Sequence, residues 1–261
     1  TTIANVVKPA DLLAPVEPSL VLPDVLDPKV WPDGKVPFFD KERIGLAMSR
    51  WTITQLAVNT NLVNSGEIKS LRDLLEPKWK GKIIFNDPTT LGAGLKWYGV
   101  IVEKLGLDYM RKLASQEPII LRDERLQVEW LARGRYPILI APKSDVIVDF
   151  TKAGAPIKRI TPAEGGFTSA GAAHLTRLKD PAHPYAQKLF INWILTRDAQ
   201  TLFSRARQSP SSRLDVPTEG LEPSLIPEPG IEYFNGDAEE FVRKEPRFRE
   251  QAIGIFQQLV K

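Results

Sequence analysis

Strands and helices alternate along residues 82 to 160, and that alternation predicts an α/β fold. Short apolar runs at 82–85, 118–121, 137–142 and 157–160 have strand length and are bounded by glycine, proline or asparagine. Between them, 95–105, 125–132 and 144–152 carry apolar residues at helical spacing. With 261 residues the chain is long enough for one large or two modest domains.

The most informative stretch is Ser70 to Gly94, SLRDLLEPKWKGKIIFNDPTTLGAG. Ser70 is an N-cap with Asp73 in the acidic place of a capping box, and Leu71, Leu74 and Leu75 give the short helix an apolar face. Pro77 ends it. Residues 78–82 turn the chain, 82–85 form a strand, and Asn86-Asp87-Pro88 stops that strand. The loop Thr89 to Gly94 then opens a helix over 95–105. Free N–H groups at such a helix start favour an anion or an oxygen-rich ligand.

The remaining elements follow in order. Seven prolines between Pro9 and Pro37 forbid long helices and predict extended segments and turns. Alternation and β-branched residues predict strands at 45–49 and 52–59, with a turn at Asn64-Ser65-Gly66. Gly106 closes the helix over 95–105, and a further helix covers 107–114. Helices over 125–132 and 144–152 alternate with the later strands; the latter helix has Ser144 at its start. Residues 185–203 read as one helix with Leu189, Phe190, Trp193, Ile194, Leu202 and Phe203 on its buried face. Residues 208–230 are loop-like, and 247–260 form a last helix.

Composition excludes several chemistries. There is no cysteine, so disulfides and thiolate metal sites are ruled out. The net charge of +3 comes without an arginine–lysine block, which gives nucleic-acid binding no support. The two histidines, His174 and His183, lack ligand spacing, so no metal and no cofactor is expected. No nucleophile elbow, phosphate-binding P-loop or zinc-protease motif is present, and no catalytic residue is expected.

Candidate ligand contacts come with competing structural roles. Thr89, Thr90, Gly92 and Gly94 offer hydroxyls and backbone N–H groups to an anion, or simply cap a helix. Trp51 and Thr52 suit either a core position or the floor of a site. Ser144 and Asp145 repeat the strand–loop–helix arrangement of Thr89 to Gly94, and capping alone also explains them. Glu164, before Gly165-Gly166-Phe167, supplies an acid or sits in a turn. Arg122 and Arg125 hold an anion or are solvated surface.

The run DLLEPKWKGKIIFNDPTTLGAG resembles the signature of extracellular solute-binding proteins of bacterial ABC importers, within the ferric-iron, polyamine and phosphonate-type branch of the two-lobed type II periplasmic binding proteins. Leu12 to Val16, Ala57 to Val63 and PAHPYAQKLFINWILTRDAQ at 181–200 resemble further segments of that family. The resemblance implies two lobes with hinge crossings: residues 1–64 a partial first lobe and hinge, 65–162 the second lobe, and 163–261 the return to the first. It implies that the chain begins partway through the first lobe. It also implies a periplasmic monomer that captures a small polar or anionic solute by hinge closure and delivers it to an inner-membrane ABC permease. An enzyme or a ligand-sensing regulatory domain on the same scaffold is the rival reading. Ferric members use an adjacent tyrosine pair after the strand equivalent to 138–141. Here that region reads APKSDVIVDFTKAG, without tyrosine, which favours an organic or phosphorus-containing solute.

Overall fold

A computed structural model describes residues 3–64, 66–170, 173–228, 231 and 233–260. The expected turn at Ser65 and part of the segment through Gly171 and Ala172 lie outside them. In chain order the elements are β1 (Leu13–Ala14), α1 (Pro23–Leu26), β2 (Gly45–Ala47), β3 (Trp51–Thr52), β4 (Leu56–Asn59), β5 (Ile83–Asn86), α2 (Ala93–Ala114), β6 (Ile119–Leu121), α3 (Glu124–Ala132), β7 (Ile138–Ile140) and α4 (Ser144–Lys152). Then come β8 (Ile157–Ile160), β9 (Gly166–Ser169), β10 (His174–Leu178), α5 (Pro184–Ile194), α6 (Arg197–Arg207), β11 (Tyr233–Asn235), α7 (Glu239–Val242) and α8 (Glu245–Phe256).

The chain divides into two units. One contains Thr1–Thr52, Thr168–Gly230 and Asn235–Arg243; the other contains Ile53–Phe167, Ile231–Phe234 and Lys244–Lys261. These boundaries differ from those drawn on the sequence, for two reasons of pairing. β4 hydrogen-bonds to β7 and β8, so the second unit begins at Ile53 and not at Ser65. α8 packs against α2, so the C-terminal helix belongs to the second unit.

The second unit is built on a five-stranded sheet in the order β6-β5-β7-β4-β8. β5 runs parallel to β6 and β7, while β4 is antiparallel to β7 and β8. Every residue of β4, β5 and β7 is buried. Ala57, Ile84 and Leu139 pack against Val128 and Leu131 of α3 and Ile147 of α4. Phe85, next to Ile84 and so on the opposite face, meets Trp97 of α2 and Phe256 of α8 edge-on, with centroids 5.2 and 5.4 Å away. Helices on both faces explain why these strands read as unbroken apolar runs.

Local chemistry matches the sequence closely in this unit. Ser70 and Asp73 form the capping box of a short 3-10 helix, Leu71–Leu75. Gly106 (φ 78°) interrupts α2 where two helices were expected, because its backbone leaves the helical region there.

The first unit has a three-stranded antiparallel sheet, β1-β10-β2, with Leu13 opposite Leu178 and His174 opposite Ala47. Its core joins Val16, Leu20, Val25 and Trp31 to Leu46, Leu175, Ile191, Ile194 and Leu195. A further sheet, β11-β9-β3, contains points where the chain passes from one unit to the other.

One expectation for this unit is sharpened and one is corrected. The turns expected in the proline-rich start are short helical ones. Pro18, Pro23, Pro28 and Pro32 each stand in the first positions of a short helical turn, where a missing N–H costs nothing. Asn192 ties that region down: its amide donates to Ser19 O and accepts from the N–H groups of Val21 and Leu22. The long helix over 185–203 is two helices, because Thr196 takes an extended conformation and its hydroxyl caps α6 at Ala199 N. The break redirects the second half. Leu189, Phe190, Trp193 and Leu202, expected to be buried, are 72%, 52%, 52% and 66% exposed.

Candidate functional site

The order of strands in the second unit marks the place of a candidate site. The chain leaves β5 through α2 to β6 on one side, then passes through α3 to β7 on the other side of β5. The carboxyl ends of β5 and β7 therefore form a topological switch point, where open α/β sheets leave a crevice. Two loops meet there: 86–92, after β5, and 141–143, after β7.

Asn86 joins them, its side-chain amide donating to Ala141 O at 3.0 Å. Ala141 is buried and left-handed (φ 53°), an uncommon conformation for a residue with a Cβ, and its N–H donates to Gln55 O. Asp87, 2% exposed, organises the first loop. One carboxylate oxygen accepts from Thr89 N (2.8 Å) and Thr89 Oγ1 (2.6 Å), and the other accepts from Arg122 Nε (2.7 Å). On the far side, Arg249 Nε of α8 donates to Thr89 O at 2.9 Å. Two exposed guanidiniums thus clasp a loop whose own donors are neutral, giving it a positive setting.

The residues proposed from sequence separate into those left open and those that hold structure. Thr90 is half-buried, and Gly92 (φ 155°) has no neighbour within 4 Å of where a Cβ would stand. Both lie directly before the N–H groups of the first turn of α2. Thr89 is buried, and its hydroxyl is committed to Asp87. Gly94 is needed for close packing: a Cβ there would lie 2.2 Å from Asn86 O and 2.6 Å from Asp87 O.

Ser144 is not the cap of α4 but its first residue. Its hydroxyl accepts from Thr54 N and shares a 3.1 Å hydrogen bond with Thr54 Oγ1. Asp145 is exposed and pairs loosely with Lys143 at 3.8 Å. Glu164 uses both oxygens as a cap, one accepting from Ser70 Oγ (2.6 Å) and one from Leu71 N (3.0 Å). In the first unit Thr52 Oγ1 donates to Ser224 O at 2.6 Å, and Trp51 faces Ser169 across β3 and β9 with its indole nitrogen buried and unpartnered. Arg122 belongs to the 86–92 loop, whereas Arg125 lies over the Phe150 ring.

Asn86, Gln55, Ala141 and Arg249 were missed on the sequence. Asn86 and Asp87 had a signal, since polar residues ending a buried strand must find partners. Arg249 had none, being 160 residues from Thr89.

Among the described residues of the first unit, Asp40, Glu42 and Glu239 bring carboxylate oxygens within 4.8 Å of one another. Lys8 Nζ already sits among them at 3.3, 2.7 and 2.8 Å. Burial alone lowers the Lys8 ammonium's affinity for its proton, but the three carboxylates outweigh it and raise the pKa. An adjoining cavity of about 390 Å³ is lined by Phe38, Phe39, Lys41, Glu240 and Arg243, among others.

An α/β unit with polar loops at a strand switch point has the layout in which ligand-binding proteins carry their sites, and comparison with known proteins makes the class specific. Residues 40–206 match the model of the bacterial extracellular solute-binding protein family, and the chain belongs to that family. An uncharacterized protein of Haemophilus influenzae is 25% identical over 158 residues, which is 58% of this chain and 45% of the relative, so the match spans about half of that protein's length. The solved structure of the periplasmic binding protein AfuA from Actinobacillus pleuropneumoniae, with exogenous fructose-6-phosphate bound, is 18% identical with a TM-score of 0.65, covering 96% of this chain and 78% of that one. A Bordetella ferric binding protein is 17% identical with a TM-score of 0.68, covering 97% and 80%. The fold is that of the type II periplasmic binding proteins. No helix among the described residues is long and apolar enough to cross a membrane.

Proposed function

We propose that this protein is the solute-binding component of an ABC importer working in the periplasm, and that the 86–92 loop with the first turn of α2 holds an anionic group of its cargo. The observation that carries this is the loop itself. Thr90, Gly92 and the helix start present neutral donors, while Asp87 is already neutralised by Arg122, and Arg249 backs the loop from α8. Oxygen-rich anions suit such a donor set. The sugar phosphate of the AfuA structure is a cargo of that chemistry.

The tyrosines argue for an organic anion over ferric iron. Tyr98 is fully buried, and burial pushes its hydroxyl up to about 12. Tyr109 is buried with its hydroxyl donating to Leu71 O, and Tyr136 stacks on Trp130. None stands at the 86–92 or 141–143 loops. Binding without turnover is the reading favoured over an enzyme, because the carboxylates of Glu164 and Asp87 are spent on capping and loop closure.

Calorimetric titration with sugar phosphates, phosphonates, carboxylates and ferric citrate tests the proposal. One of the organic anions is expected to bind, and Thr90→Val to weaken it about 10- to 100-fold, the worth of one hydrogen bond to a charged group. Binding of ferric citrate alone, or an organic anion indifferent to Thr90→Val and to Arg249→Met, overturns it.

A further inference from the structure

The cavity beside the Lys8 cluster has a floor and a rim of different chemistry. Phe38, Phe39 and Ala238, just ahead of β2 and α7, make the floor apolar. Phe39 is firmly held. Its N–H donates to Gly45 O, its carbonyl accepts from Glu239 N, and its ring meets His174 edge-on with centroids 5.1 Å apart. Gly45 makes room for that ring, since a Cβ there would lie 1.8 Å from it. Most charges around the cavity are already matched. Asp40, with a fully buried side chain, accepts from the N–H groups of Ile44 and Gly45 and from Lys8 Nζ. Glu42 and Glu239 also accept from Lys8 Nζ, and the Arg243 guanidinium donates to Glu239 Oε1 through two nitrogens, at 3.1 and 2.7 Å. Two charged side chains remain. Lys41 and Glu240 are exposed, line the same cavity, and have no hydrogen-bond or ion-pair partner among the described residues, each other included.

A cation and an anion that share a cavity without pairing leave a gap between them. A ligand that satisfies both carries one carboxylate and one ammonium, and the aromatic floor suits an apolar body. The volume of about 390 Å³ lies within the range of small-molecule sites. We infer that this cavity of the first unit is a second binding site, for a small zwitterion with an apolar body such as a free aromatic α-amino acid. Lys41 meets the carboxylate, Glu240 meets the ammonium, and Phe38 lies under the ring. Lys8 acts at one remove. By neutralising Asp40, Glu42 and Glu239 it keeps the deep wall from drawing the ammonium away from Glu240. Both rim charges stand in water, so the expected Kd is on the order of 1 mM. The 86–92 loop belongs to the second unit, and the inference does not depend on what that loop holds.

Amide NMR shifts of the whole chain test this, with L-phenylalanine as the probe and phenylethylamine and phenylpropionate as analogues that keep one charge each. Phenylalanine is expected to shift the amides at 38–43 and 238–243, and each analogue to bind at least about fivefold more weakly. Lys41→Met should weaken phenylalanine by a similar factor and leave phenylethylamine unchanged. Glu240→Gln should weaken phenylalanine equally and leave phenylpropionate unchanged. Both side chains are exposed and unpartnered, so neither substitution removes a contact that holds the fold. No shift at these amides up to about ten times the expected Kd would overturn the inference. Phenylalanine binding that ignores both substitutions would lie elsewhere on the chain and overturn it too. So would an analogue with one charge that binds as tightly as phenylalanine.

Discussion

The two units solve the problem of apolar surface differently. In the second, a five-stranded sheet is covered on both faces, by α3 and α4 on one side and by α2 and α8 on the other. In the first, a three-stranded sheet and an irregular proline-rich segment share one core, and α5 leaves an apolar face open. Where both faces of a sheet are packed, side chains are fixed by their neighbours, and the loops at the strand ends inherit that rigidity. The polar cluster around Asn86 and Asp87 depends on this. Where a unit relies on a few ties such as Asn192 and Arg213, stability rests on individual hydrogen bonds and ion pairs.

The sharpest way to break the comparison is to hollow out the covered sheet. Phe85→Ala removes the ring that Trp97 and Phe256 meet edge-on and should cost about 3–5 kcal/mol, read by urea denaturation. A loss below about 1 kcal/mol would mean that α8 does not cover that face. Gly94→Ala comes next. Its Cβ has backbone oxygen at 2.2 Å, which cannot swing aside, so about 2–3 kcal/mol should be lost as β5 and α2 are forced apart. Gly92→Ala, with open space but a φ of 155°, should cost only about 1 kcal/mol. Equal effects at the two glycines would contradict the packing described for the loop.

Ser70→Ala should cost about 1 kcal/mol, since it removes the capping-box oxygen and one partner of Glu164 together. The smallest effect belongs to the first unit and depends on pH. Arg213 is buried and hydrogen-bonds Asp215 through two nitrogens, and these bonds hold the Asp215 carboxyl below its ordinary value of 3.8. A carboxyl depressed in the folded state contributes stability that is fully present above its unfolded pKa and is lost as pH falls through the lower folded one. Asp215→Asn should therefore lower Tm at pH 7, and the gap to the unmodified protein should close progressively below about pH 4. A constant gap down to pH 2 would assign the effect to packing instead of charge.

Much of the second unit was legible beforehand. The Ser70–Asp73 capping box, the strand at 82–85, the interruption at Gly106 and the buried strand at 138–140 depend on neighbours within a few residues, and local spacing encodes them. The Thr89–Gly94 loop was legible as a candidate site for the same reason. Glu164 was not legible as a cap, because its partners Ser70 and Leu71 lie more than ninety residues away. Ser144 was misplaced as a cap because Thr54, ninety residues earlier, takes its hydroxyl. The break at Leu195–Thr196 was hidden by an apolar pattern that runs smoothly across it.

By itself the sequence determined the α/β class, the strand–loop–helix element at 83–94, the absence of thiol chemistry and the family resemblance. These follow from periodicity, capping and composition, which act within one turn or one strand. Only the tertiary structure decided which polar groups stay open and which are consumed by partners, and which side of α5 is covered. A hydroxyl or carboxylate is chemically the same in either role, and its function is set by what the folded chain brings within about 3 Å of it.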